Sequence, residues 1–161
     1  MLRKTLSLIA FAALPSTAAI AQTEEVVIDV AKNAGCMCCD GWVNRMDDAG
    51  FALQPRNIPG EKLYDLKVER GMSSDLWACH TATVAGYTIE GHVPARELRR
   101  LLSERPDAIG LATPGMPVGS PGMDTIGAPN MGFSEGQKEA YDVILVLRDG
   151  STGIFASYEG D

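Results

Sequence analysis

The run Gly35-Cys36-Met37-Cys38-Cys39-Asp40-Gly41 decides how the rest of the chain is read. It places three thiols within four residues. Just before it, Val26-Val27-Ile28-Asp29-Val30 is a nearly continuous β-branched run, the pattern of a strand covered on both faces. Just after it, Cys39, Trp42, Val43, Met46 and Ala49 recur at helical spacing, and Gly50 stands where a glycine ends a helix. The thiols therefore sit where a strand hands over to a helix. Free backbone N–H groups and the positive end of the helix dipole favour thiolate over thiol there.

Working outwards, residues 1–21 read as a signal peptide. Met1-Leu2-Arg3-Lys4 is a basic start, 6–14 is apolar apart from Ser7, and Ala19-Ile20-Ala21 ends in small residues, with cleavage expected after Ala21. The apolar run is too short for a bilayer span, so the mature chain is expected to be periplasmic, with no membrane span. Residues 26–158 read as one domain. The chain has 14 basic and 21 acidic residues and a formal charge of −7, which loss of Arg3 and Lys4 lowers by two. Such an acidic domain repels nucleic acid and anionic lipid.

Residues 51–56 read as a second strand. Residues 61–70 read as a helix closed by Gly71, with Leu63, Leu66 and Val68 facing inward. Thr81-Ala82-Thr83-Val84 and Tyr87-Thr88-Ile89 form a hairpin about Ala85-Gly86. Pro94 then opens a helix to Arg105, with Leu98, Leu101 and Leu102 on one face and Arg96, Arg99, Arg100 and Arg105 as a solvated face. Seven glycines and four prolines in 108–136 preclude a long helix, and this loop carries Met116, Met123 and Met131. A last hairpin spans 141–147 and 153–158. The order predicts an α/β sandwich of the thioredoxin type, with a Gly/Pro/Met-rich loop and a C-terminal β-hairpin. Cys79-His80 then falls in the loop before the third strand, facing the first cysteine motif where thioredoxins place a cis-proline.

Four cysteines in an exported chain ordinarily mean two disulfides. Here a bond between the neighbours Cys38 and Cys39 would be strained, and other pairings crowd two bridges into one helix mouth. A soft metal holding Cys36, Cys38, Cys39 and Cys79 as thiolates removes that difficulty, and bridging thiolates can hold more than one ion. Cu(I) suits the set. Zinc usually draws on two separated pairs and has no need of a methionine loop. His80 and His92 are candidate imidazole ligands, each also readable as an ordinary histidine. Met116 and Met123, flanked by glycine or proline, are candidate thioether ligands or a lid. Met46 belongs to the helix stripe, and Met37 is expected to point away.

Cys36-Met37-Cys38-Cys39, Cys79-His80-Thr81-Ala82, the run Gly86-Tyr87-Thr88-Ile89-Glu90-Gly91-His92-Val93-Pro94 and the 114–123 loop together resemble the CopG-type periplasmic copper-resistance proteins. The resemblance covers residues 26–148. It implies a thioredoxin-like fold, a cysteine-bridged multinuclear copper cluster on Cys36, Cys38, Cys39 and Cys79, and a role in copper tolerance. Periplasmic copper chaperones or efflux components would be its partners. Met37 departs from the small residue expected at that position. Two other readings remain open: a thiol–disulfide or copper-dependent oxidoreductase using Cys36-x-x-Cys39, and an exported domain with two structural disulfides. A third adjacent thiol invites wrong disulfides in an exchange centre, so a binding protein is favoured over an enzyme.

Overall fold

A computed structural model of the chain describes residues 26–124 and 136–161; the leader and Met131 lie outside them. In chain order the elements are β1 (Val27–Lys32), α1 (Met37–Asp48), β2 (Ala52–Asn57), α2 (Gly60–Glu69), a 3-10 turn at Ser74–Leu76, β3 (His80–Val84), β4 (Tyr87–Gly91), α3 (Ala95–Glu104), β5 (Ala108–Thr113), β6 (Tyr141–Leu147) and β7 (Thr152–Tyr158). The strands form one mixed sheet in the order β2-β1-β3-β4-β5-β6-β7. β1 and β2 run parallel, joined through α1, and β4 and β5 run parallel, joined through α3; the other neighbours are antiparallel. No helix among the described residues is long and apolar enough to cross a membrane.

Side chains alternate across a strand, so the central strands here serve two different layers. On one face Ile28, Val30, Ala82, Val84, Ile89 and Leu111 pack with Trp42 and Met46 of α1 and Leu98 and Leu101 of α3. The alternate residues Thr81 of β3 and Glu90 of β4 face α2, where they meet Lys67. A smaller apolar cluster of Met72, Leu76, Ala112 and Val146 is separate from the main core. Trp42 joins the helix layer to the segment before α3, because its Nε1–H donates to the Val93 carbonyl at 2.9 Å.

Two expectations need correction. Residues 108–113 form β5, a buried strand, within the segment expected to be irregular. In α2 the buried residues are Leu63 and Lys67, whereas Val68 is 65% exposed. Lys67 lies four residues after Leu63 and so shares its face, where Glu90 supplies the opposite charge. The α3 arginines are exposed, as expected of a solvated face, and three of them also reach neighbouring elements. Arg100 donates to the Phe155 carbonyl and lies over its ring, Arg99 donates to the Ala49 carbonyl and lies over Phe51, and Arg96 lies over Tyr158. Their stems and charges fasten α3 to its neighbours.

Trp42→Phe keeps most of the apolar burial but leaves the Val93 carbonyl without its donor. Chemical denaturation should show a loss of about 1–3 kcal/mol; an unchanged midpoint would mean that this bond does not couple the two segments.

Candidate metal centre

The sheet register brings the two cysteine motifs together. β1 and β3 are antiparallel with Lys32 opposite His80. Cys36 follows Lys32 after a short turn through Gly35, and Cys79 immediately precedes His80. The sulfurs of Cys36, Cys38, Cys39 and Cys79 consequently all lie within 4.8 Å of one another. Cys38 and Cys79 are 3.4 Å apart, and Cys36 and Cys38 are 3.5 Å apart. Cys39 is fully buried beneath the group, and Met37 is 64% exposed, pointing out as expected.

Cys36 and Cys39 are joined in a disulfide, with their Cα atoms 5.3 Å apart. Four free thiolates were expected, so this is a correction. Cys36 caps α1 and Cys39 lies in its first turn, so three-residue spacing puts the two sulfurs on one side. Cys38 and Cys79 remain free. The hydrogen bond between the two sulfurs holds the Cys38 thiol down to about 4, against the opposing effect of burial; His92 and the Cys39 backbone N–H also favour its thiolate. The Cys38 hydrogen bond and burial push Cys79 strongly upward.

The 114–124 loop closes the site from above. A Cβ on Gly122 would lie 2.5 Å from both the Cys38 carbonyl oxygen and the Trp42 nitrogen, and a Cβ on Gly41 would lie 2.9 Å from the Gly122 Cα. Two glycines therefore let the loop backbone press on the first turn of α1. The next residue back, Pro121, offers its carbonyl to His92 Nδ1 at 2.9 Å. A carbonyl only accepts, so Nδ1 carries the proton and Nε2 is left free for a partner. Nε2 is buried with no hydrogen bond among the described residues, as are both ring nitrogens of His80. The His80 ring lies 4.6 Å from Trp42 and 5.1 Å from His92, centroid to centroid. Burial pushes His80 well below its ordinary pKa, reinforced by His92, Lys67 and Lys32, so the ring is neutral. Buried imidazole nitrogens without partners are rare in folded proteins, and neutral imidazole is a metal donor.

The methionines part company. Met116, 44% exposed, stands at the lip of a cleft of about 320 Å³ whose wall includes Cys79 and the stacked rings of Tyr64 and Trp77. Met123 is buried and lines a separate cavity of about 80 Å³ with Val118 and Lys138, where no cysteine or histidine contributes. The sequence reading missed four contributors: Lys67, Glu90, Pro121 and Gly122. A lysine in the apolar stripe of α2 was the available signal for the first. Burial raises the Glu90 carboxyl, against the opposing Lys67 charge and hydrogen bonds from Lys67, Thr81 and Ala78. Nothing local marks a proline carbonyl as a histidine's partner.

A family described as "Protein of unknown function, DUF411" matches residues 76–123. Two solved structures are similar over nearly the whole chain. One, described as copper resistance protein CopG, form 1, is 34% identical, with a TM-score of 0.73 over 85% of this chain and 100% of the other. The second, form 2 of the same description, is 34% identical, with a TM-score of 0.72 over 84% and 99%. No curated protein matches the chain.

An ordinary cysteine thiol, near pKa 8.5, loses reactivity about tenfold per pH unit as it protonates. Cys38, held down to about 4, stays thiolate far below that. Its alkylation by iodoacetamide in the metal-free disulfide form, followed by peptide mapping, should change less than about twofold between about pH 8 and about pH 6. A fall of about tenfold or more would show an ordinary thiol.

Proposed function

The chain belongs to the CopG copper-resistance family, and from that premise we propose that it binds Cu(I) in a multinuclear site bridged by Cys36, Cys38, Cys39 and Cys79. A copper-related function follows from membership. The observation that carries the finer reading is the packing of all four sulfurs within 4.8 Å of one another. At that spacing one thiolate can bridge two soft ions. His92 Nε2 and His80 supply nitrogen donors at the buried side, and Met116 supplies a thioether at the open lip. Met123 is the weaker candidate, because it lines a different cavity. The order β2-β1-β3-β4, with β3 alone reversed, supports a thioredoxin-type scaffold.

The protein would act in the periplasm after loss of residues 1–21, sequestering copper or passing it to a chaperone or efflux component. A disulfide provides no thiolate, so full loading requires an external dithiol to deliver two electrons and two protons to Cys36–Cys39. Reduced protein should therefore retain more than one Cu(I) per chain against a competing chelator, and the disulfide form fewer. Elemental analysis should also find a sharp drop in stoichiometry for Cys38→Ser. One weakly held ion in both the native and the substituted protein would refute the shared site.

The Cys36–Cys39 disulfide itself favours a second reading, a thiol–disulfide oxidoreductase. That activity would reduce insulin, need Cys36 and Cys39, and tolerate loss of Cys38 and Cys79. Equal dependence on all four cysteines would return the assignment to the metal.

A further inference from the structure

Three of the four sulfurs stand at the start of α1, Cys36 at its cap and Cys38 and Cys39 in its first turn. Cys79 stands on a loop, so its placement needs support of its own. The geometry points to Glu90, held by Lys67 and Thr81, as a positioning residue that fixes Cys79 by accepting the N–H of Ala78. This deepens the copper reading and rests on it for its purpose, though not for its geometry.

Ala78 N donates to Glu90 Oε1 at 2.7 Å, one residue before the thiol. Thr81 Oγ1 donates to the second carboxylate oxygen, Oε2, at 2.7 Å. Lys67 Nζ donates to Thr81 Oγ1 at 2.9 Å and also pairs directly with Glu90 Oε1. Lys67 is 1% exposed, Glu90 0% and Thr81 1%, so the network that spans α2, β3 and β4 is buried. The same loop is gripped twice more. A Cβ on Gly91, whose φ is +71°, would come 2.4 Å from Ala78 Cβ, so β4 ends on a glycine where Ala78 packs. Ala78 also bridges Gly115, whose N–H donates to the Trp77 carbonyl at 3.1 Å.

A buried ion pair is often no more stable than apolar residues of the same volume. An apolar residue in place of Glu90, however, cannot accept the Ala78 N–H. The carboxylate performs that task, and Lys67 neutralises it. Residues that orient a metal ligand commonly matter about tenfold to a hundredfold for affinity without touching the metal.

The test compares two charge-free double variants in the full chain, Lys67→Met with Glu90→Gln and Lys67→Met with Glu90→Met. The first keeps an acceptor for Ala78 and the second removes it. The Cys79 alkylation rate in reduced, metal-free protein, read by peptide mapping, should rise about tenfold in the variant carrying Glu90→Met and stay within about threefold in the one carrying Glu90→Gln. Cu(I) affinity against a chelator should fall about tenfold or more with Glu90→Met alone of the two. Equal labelling of both variants and the native protein overturns the proposal. If the Glu90→Met variant does not fold, Thr81→Val carries the test, and labelling of Cys79 at the native rate overturns it. If the native protein holds no Cu(I) but labelling still separates the two double variants, the positioning role stands and the copper reading falls.

Discussion

The candidate metal centre depends on one register, the antiparallel pairing of β1 and β3 that sets Lys32 opposite His80. A slip of one residue would turn every β3 side chain to the other face. His80 would leave the core layer it shares with Trp42, and Thr81 would lose Lys67 and Glu90. The alternation along β3 guards against that slip, with Ala82 and Val84 in the main core and Thr81 in the polar network. The cysteine motifs meet because the hydrophobic pattern of a strand carrying no cysteine fixes where they emerge.

Around that meeting point the protein arranges complementary donors. The mouth of α1 favours anionic sulfur, and the hydrogen bond with Cys79 lowers the Cys38 pKa further. The two buried histidines lack hydrogen-bond partners at three of their four ring nitrogens among the described residues. The fourth is held by a proline carbonyl from the loop that packs against α1. A buried polar atom without a partner carries a desolvation cost, which a bound ligand would offset. On the proposed copper reading, the Cys36–Cys39 disulfide would make loading depend on reducing conditions.

Much of this architecture was legible in the residues. The β-branched run before the cysteines, the Trp42 and Met46 stripe, and both hairpins stand where periodicity and turn chemistry put them. β5 was hidden because it lies at the start of a glycine- and proline-rich stretch, where composition outweighed the short run Ala108-Ile109-Gly110-Leu111-Ala112-Thr113. The inward face of α2 was misread because Val68 is apolar and Lys67 is charged, and only β4 reveals the partner that lets a lysine be buried. Grouping the four cysteines required nothing beyond spacing and fold class. The bond between Cys36 and Cys39 escapes a crowding argument that does not weigh the helical turn. The roles of Pro121 and Gly122 belong to backbone atoms, which side-chain patterns do not report.

The central claim is that copper is shared among thiolates rather than held singly. Copper K-edge X-ray absorption on reduced protein loaded anaerobically with Cu(I) tests it most directly. A shared site predicts a first shell dominated by sulfur and a second shell containing a neighbouring copper. A shell of nitrogen and oxygen, or sulfur ligation with no copper neighbour at full loading, would contradict it.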